Sequence, residues 1–192
     1  WYYTDKETNE EKTTTTYSTG DFYLCGDPNP DLYGGFGTSI TFHGFDLSTQ
    51  FSYLVGGLTY DYGYAGMMGN PTATSVGNRW HKDVLKAWSP ENPSSTIPRW
   101  HFNDLNTTGS SDRFLIDGSY LNLQNIQVGY TLPDSWTSHL KIKNLRLYFV
   151  CDNVYYWSKR KGLDPRRSIS GVGTSGKIAP FRTYSGGISL QF

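Results

Sequence analysis

The sequence has 192 residues, of which 18% are charged, 36% hydrophobic and 16% aromatic, with a formal net charge of zero. A balanced charge argues against the clustered basic face that a nucleic-acid footprint needs, and no run of about 18 apolar residues is present to form a transmembrane helix. The 15 Tyr, 10 Phe and 6 Trp, together with 21 Gly, make a β-rich composition that suits transmembrane barrels, secreted β-sandwiches and carbohydrate-binding modules alike.

The chain opens on Trp1-Tyr2-Tyr3, which reads like the middle of a strand with no signal-peptide pattern before it. A processed precursor or a fragment is the expectation. Residues 4–31 read as a loop: Asp5 to Glu11 is charged, Thr13 to Thr16 is polar, and Cys25-Gly26-Asp27-Pro28-Asn29-Pro30 is turn chemistry. The two cysteines, Cys25 and Cys151, lack metal-ligand spacing, so a disulfide and two separate thiols both remain open.

A period of two then begins. Phe36, Thr38, Ile40 and Phe42 alternate with Gly37, Ser39 and Thr41, and His43-Gly44 forms a tight reversal. Phe45, Leu47, Thr49, Phe51, Tyr53 and Val55 then share one face, opposite Asp46, Ser48, Gln50 and Ser52. This predicts a hairpin of two strands with a minimal turn, each of a length that crosses a bilayer at a barrel's tilt. Residues 61–113 form a long insertion in which Val76, Trp80, Val84, Leu85 and Trp88 have helical spacing, stopped by Pro90.

Alternation resumes near Tyr120. Ile126, Val128, Tyr130 and Leu132 are in phase, while Leu121 and Leu123 are not. A β-bulge near Gln124-Asn125 reconciles them, and an inward apolar pair is the other reading. After a short connection from Pro133 to Lys143, Leu145, Leu147, Phe149 and Cys151 alternate with Arg146, Tyr148, Val150 and Asp152. A loop over residues 158–180 follows, containing the basic stretch Lys159-Arg160-Lys161 with Arg166-Arg167, read as solvated. In the last strand Tyr184, Ile188, Leu190 and Phe192 face one way. Connections therefore run short, long, short, long, the pattern of barrels with short turns on one side of the membrane and long loops on the other.

An ordered series of segments resembles the late barrel of SusC/RagA-like TonB-dependent outer-membrane transporters. It includes Gly26-Asp27-Pro28-Asn29-Pro30, Tyr33-Gly34-Gly35-Phe36, Phe45-Asp46-Leu47-Ser48, and Trp88-Ser89-Pro90-Glu91-Asn92-Pro93. It continues through Ser119 to Ile126, Gly129 to Pro133, Asp152-Asn153-Val154, Lys161 to Pro165 and Arg182 to Gly187. The Cys151-Asp152 pair departs from the small or polar neutral residues expected there. The resemblance implies an all-β fold: the last five or six strands of a 22-stranded antiparallel transmembrane barrel, with the plug domain outside this chain. It also implies nutrient import of glycans or peptides across a Gram-negative outer membrane, with a SusD-like surface lipoprotein and with the TonB complex engaged through a segment not in this chain. The other partners expected are the rest of the same barrel and outer-membrane lipid, with no nucleic acid and no cofactor.

On this reading Asp46, Gln50, Arg146 and Asp152 face the lumen, where wall-to-plug hydrogen bonding is the plainer role and substrate contact the sharper one. Trp80, Trp88, Trp100, Tyr62 and Tyr64 are candidate substrate or lid contacts, although the spacing of Trp80, Val84 and Trp88 favours packing. Tyr155, Tyr156 and Trp157 read as an interfacial aromatic girdle. Tyr184, Ile188, Leu190 and Phe192 resemble the terminal signal read by the barrel-assembly machinery. His81, Asp83, His101 and Asp104 tempt a metal or hydrolase reading, but His81 and Asp83 do not share a helix face and no HExxH or GxSxG motif is present. No catalytic or metal site is expected. A soluble secreted β-sandwich that binds glycans or mediates adhesion is the alternative.

Overall fold

The computed structural model describes residues 1–73, 77, 79–137, 142–159, 164 and 180–192. These divide into two compact units. The sheet unit holds Pro28–Leu58 and the described residues from Asp117 onward, and the loop unit holds Trp1–Asp27 and Thr59–Ile116.

The loop unit opens on a small hairpin of β1 (Tyr2–Thr4) and β2 (Glu11–Thr13). The sheet unit is one antiparallel sheet of five strands: β3 (Leu32–Phe42), β4 (Phe45–Val55), β7 (Tyr120–Thr131), β8 (Asn144–Ser158) and β9 (Thr183–Gln191), hydrogen-bonded in that order. Between β4 and β7 the chain forms β5 (Leu58–Tyr60) and β6 (Leu115–Asp117), which pair with each other. The β3–β4 hairpin closes through His43 and Gly44, at φ 48° and 85°. Both residues are left-handed, which is the primed turn whose twist matches the strands it joins.

The register sets the sheet's two faces. On one face, rows run across the strands as Phe42–Phe45–Tyr130–Leu147–Ile188, Ile40–Leu47–Val128–Phe149–Gly186 and Thr38–Thr49–Ile126–Cys151–Tyr184. Above them lie Phe36–Phe51–Leu123–Tyr155 and Gly34–Tyr53–Leu121–Trp157. Leu121 and Leu123 therefore join the apolar face. The expected bulge is present: Gln50 and Phe51 of β4 face Asn125 and Leu123 of β7, leaving Gln124 as the extra residue. At the same level β8 takes three steps, from Asp152 to Tyr155, with Asn153 at φ 52°.

One layer leaves this apolar face bare. Phe36, Ile40, Phe42, Phe45, Phe149 and Ile188 are all exposed. Among the described residues the buried hydrophobic side chains are Met68, Phe114 and Cys151, and only Cys151 belongs to the sheet. Aromatic contacts gather toward both ends of the strands. Phe45 meets Tyr130 at 4.3 Å near the short turn, and Tyr155 meets Trp157 at 4.8 Å near the long connections. The intervening Tyr156 alternates onto the opposite face with Asn122. The two-residue turn, the start of β8 and the end of β9 share one end of the sheet, where the Lys143 amide donates to Gln191 O at 2.8 Å. Tyr120 and Ser158 pair at the other end, where the long connections leave.

The loop unit departs from two expectations. Residues 4–31 contain β2 and a 3₁₀ turn at Tyr17–Thr19 as well as loop, and Trp1 to Tyr3 belong to the local β1–β2 hairpin and not to the large sheet. The α-helix expected from Val76 to Trp88 is absent among the described residues there, Val76 itself lying outside them. That stretch holds a 3₁₀ turn, Lys82–Lys86, and Leu85 projects into solvent. The reason is competition for backbone groups. The Lys86 carbonyl accepts from Asn92 Nδ2 and Ser95 Oγ, and the Trp88 amide donates to Ile97 O at 2.8 Å. The helix forms earlier as α1 (Tyr62–Met68), where the Asp61 carboxylate caps the Tyr64 amide at 2.9 Å. A second short helix, α2 (Asp134–Thr137), lies in the connection before β8. Cys25 is exposed, Cys151 is buried, and neither forms a disulfide.

Candidate functional site

The polar face of the sheet brings together residues far apart in sequence. Asp46 on β4 and Arg146 on β8 form a two-pronged pair, Nε to Oδ1 at 2.9 Å and Nη2 to Oδ2 at 2.6 Å. Their strands are not neighbours, because β7 runs between them. The pair forms because Asp46 sits opposite Gly129, and any Cβ at Gly129 would collide with both the carboxylate and the guanidinium. The Arg146 guanidinium also lies 5.4 Å from the Tyr148 ring, a cation–π contact. Tyr148 in turn covers Gly187 on β9, which likewise has no room for a Cβ. Two glycines thus form the floor on which a bridge of charged and aromatic groups crosses the sheet.

Gln50, Asn125 and Asp152 stand side by side in another row of the same face, with Asn125 Nδ2 donating to Asp152 Oδ1 at 2.7 Å. All four residues assigned to the polar interior therefore share one face. Arg146 pairs with Asp46, and Gln50 with Asp152 flanks Asn125. The roles of Gly129, Gly187 and Tyr148 were missed by sequence reasoning. Their only signal was small residues alternating with large ones, which does not reveal which strand lies opposite which.

The loop aromatics behave mainly as packing. Trp80 and Trp100 meet edge to face at 5.6 Å, and both indole N–H groups donate to the Gly69 carbonyl, at 3.1 and 3.2 Å. Tyr64 donates to Asp83 Oδ2 at 3.0 Å and lies 6.0 Å from the buried Phe114 ring. Lys86, and then Tyr64, hold the Asp83 carboxyl below the usual carboxylate range. The Tyr62 ring lies 4.5 Å from that of Tyr60, tilted at 53°, but stays exposed, as do Trp88 and Trp100. Buried Asn70 ties this loop together, donating to Asp104 O and Thr107 Oγ1 and accepting from the His101 amide. His81 spends its Nδ1 on the Asp83 amide at 3.2 Å. No group of three or more potential metal ligands occurs among the described residues.

Two polar anchors lie outside the strands of the large sheet. Lys159 pairs with Asp117 at 2.7 Å and, with Ser119, lowers the Asp117 carboxyl to about 2. The rest of the basic stretch, Arg160, Lys161, Arg166 and Arg167, lies outside the described residues. Tyr23 donates to Asp112 at 2.7 Å, and that carboxylate raises the Tyr23 phenol to about 12.

No protein-family profile matches the chain. It is 30% identical over 185 residues to TonB-dependent receptor P3 of Formosa agariphila, covering 91% of this chain and 18% of that protein. It is 27% identical over 182 residues to the TonB-dependent receptor SusC of Bacteroides thetaiotaomicron, covering 92% of the chain and 17% of SusC. All of the chain superposes on 21% of a chain of the RagAB peptide importer in its closed-closed state, with a TM-score of 0.78 and 24% identity. This is a segment of a SusC-like TonB-dependent receptor. The segment spans less than a fifth of the receptors it matches in sequence. A SusC-like sheet explains the bare apolar face, which in a β-sandwich would be covered by a second sheet. Among the described residues no helix is long and apolar enough to cross a membrane, a criterion that does not apply to strands.

Proposed function

We propose that this segment supplies late strands of a closed, 22-stranded barrel in a Gram-negative outer membrane, and that the whole protein imports glycans or peptides. The observation that carries the reading is the five-stranded sheet with a bare apolar face on one side and the Asp46–Arg146 bridge on the other. In lipid the apolar face needs no further cover, while a sheet with unpaired edges needs closure. The outer edges of β3 and β9 therefore pair with strands of the same protein outside this segment. The polar face lines the lumen, where Asp46, Gln50, Arg146 and Asp152 contact the plug or passing substrate. The likeness to SusC and to the RagAB importer supports this assignment.

The end of the sheet with the long connections faces outward, and the exposed Tyr62, Trp88 and Trp100 of the loop unit serve a SusD-like lipoprotein or substrate. Energy arrives from the TonB complex through a part of the protein outside this chain. A catalytic role has no support in the relatives, which are receptors. The test is TonB-dependent uptake of labelled oligosaccharides and peptides by cells with and without the whole receptor, combined with fractionation. Uptake lost with the receptor, and the receptor found in the outer membrane, supports the reading. A protein recovered in the soluble fraction without detergent overturns it in favour of a secreted glycan-binding module.

A further inference from the structure

Arg182 is exposed at the margin of the sheet's apolar face. It stands two residues before Tyr184, which belongs to that face in the row Thr38–Thr49–Ile126–Cys151–Tyr184. Its Nη1 approaches the Tyr184 hydroxyl at 3.5 Å, and Cys151 and Tyr155 of the same face lie within its electrostatic reach. The chain is fixed just before it, because Asn153, in the wide step of β8 between Asp152 and Tyr155, donates to the Phe181 carbonyl at 3.1 Å. Among the described residues, Lys12, Lys86, Arg146 and Lys159 each pair with an aspartate, and Arg182 does not.

Depth narrows what this charge can meet. Leu190 is level with Leu145 near the short-turn end, and Arg182 lies eight residues back along the strand from it. At ~3.3 Å per residue and a tilt of about 40°, that places Arg182 about 20 Å into an apolar band about 25 Å tall, close to its outward margin. The penalty for a cation on the lipid face is greatest at the midplane and nearly vanishes toward the interface, and a long side chain carries its charge there. The groups it meets at that level are lipid headgroups, and the outward leaflet of a Gram-negative outer membrane is made of phosphorylated glycolipid. A guanidinium matches a phosphate with two parallel N–H donors. The Tyr184 hydroxyl, whose oxygen faces Arg182, keeps its own proton for the same phosphate. Tyr155 and Trp157 meet edge to face at 4.8 Å on this face and stay about half exposed, leaving ring surface for the acyl chains.

We propose that Arg182 and the Tyr184 hydroxyl bind a phosphate of an outer-leaflet glycolipid, with Tyr155 and Trp157 against its acyl chains. The assignment rests on the outer-membrane reading and on the long connections facing outward.

The test titrates diphosphoryl lipid A into the purified full-length receptor in detergent and counts bound lipid by native mass spectrometry. Dephosphorylated lipid A and phosphatidylglycerol are the comparison probes. Lipid A binds, its dephosphorylated form binds more weakly, and Arg182→Gln weakens lipid A roughly tenfold. Tyr184→Phe, which keeps the ring, weakens it by a smaller factor. Arg182 is exposed, so its replacement leaves the heat-modifiable barrel intact. Lys6→Gln, at an exposed residue of the loop unit, removes the same charge and leaves binding unchanged. Equal binding of lipid A and its dephosphorylated form overturns the proposal. So does lipid A binding that Arg182→Gln leaves unaltered, the result expected if a carboxylate on the strand beyond β9 takes the guanidinium. Phosphatidylglycerol bound through Arg182 in preference to lipid A overturns it as well. Fractionation of the same cells separates the two readings. A receptor in the outer membrane that ignores the phosphate sinks this assignment alone, whereas a receptor recovered in the soluble fraction sinks the outer-membrane reading and this assignment with it.

Discussion

Placing an arginine at either of two adjacent positions on β8 tests the orientation of the whole sheet. Phe149 lies on the apolar face in the row Ile40–Leu47–Val128–Phe149–Gly186, and Val150 points the other way, between Gln127 and Ser185. From Leu145 to Trp157, at ~3.3 Å per residue and a tilt of about 40°, β8 spans about 30 Å of depth. Phe149 lies about 10 Å in from Leu145 on the same estimate, close to the middle of an apolar band about 25 Å tall. Phe149→Arg therefore costs about 2–4 kcal/mol, or roughly 30- to 900-fold in the folding equilibrium. Val150→Arg enters a polar interior and costs well under half of that. The measurement is urea titration of the full-length receptor folded into thin bilayers, read by heat-modifiable gel mobility. Equal costs at the two positions, or a larger cost at Val150, would refute the assignment of faces.

Gly129→Val displaces the Asp46–Arg146 bridge and lowers stability by about 1–3 kcal/mol. Adding Arg146→Gln to that variant costs little more, a non-additivity that a double-mutant cycle in the same assay reads directly. The Asp117 carboxyl is lowered to about 2 in the folded state by Lys159 and Ser119, below its ordinary value of about 3.9. Its contribution is therefore present above pH ~4 and lost as pH falls toward ~2. Hydrogen exchange at the Ser119 amide, which donates to Asp117 at 2.7 Å, stays protected to about pH 4 and loosens below it, whereas Asp117→Asn removes that pH dependence. Deleting Phe192, or changing it to Asp, slows outer-membrane insertion in pulse-chase fractionation, and unchanged kinetics would reduce Phe192 to a merely exposed aromatic. Deleting residues 76–100 impairs uptake more than it impairs the yield of heat-modifiable barrel.

The strands were legible because alternation survives wherever one face is apolar. Phe36 to Phe42 and Phe45 to Val55 display it without interruption, and His43-Gly44 supplies the turn chemistry. The Gln124 bulge was legible for the same reason, since Leu121 and Leu123 break phase. The loop unit was not. Trp80, Val84 and Trp88 have helical spacing, but the Lys86 carbonyl between them is claimed by Asn92 and Ser95 and the Trp88 amide by Ile97. The helix that does form, Tyr62–Met68, contains two glycines and lacks a polar face, so only Asp61 announces it. The Asp46–Arg146 bridge was half legible. Both residues fall on the polar face of their own strand, but the partners are 100 residues apart. Only the register of β7 between them reveals that they meet over Gly129.

The stepped bulge has a consequence for how this sheet accepts insertions and deletions. At one level β4 advances one residue, from Gln50 to Phe51, β7 advances two, and β8 advances three. An odd surplus reverses the parity of everything beyond it, and an even surplus restores it. So the extra residue of β7 leaves a visible scar in the pattern, while the two extra residues of β8 leave none. Removing Asn153 alone would leave β8 one surplus residue, which would have to bulge as Gln124 does in β7 for Tyr155 and Trp157 to stay on the apolar face. Removing Asn153 and Val154 together would keep every side chain on its present face and only shorten the strand. Lineages of this barrel are therefore expected to change β8 by pairs of residues at this level, and such changes pass unseen by any reading that counts alternation alone.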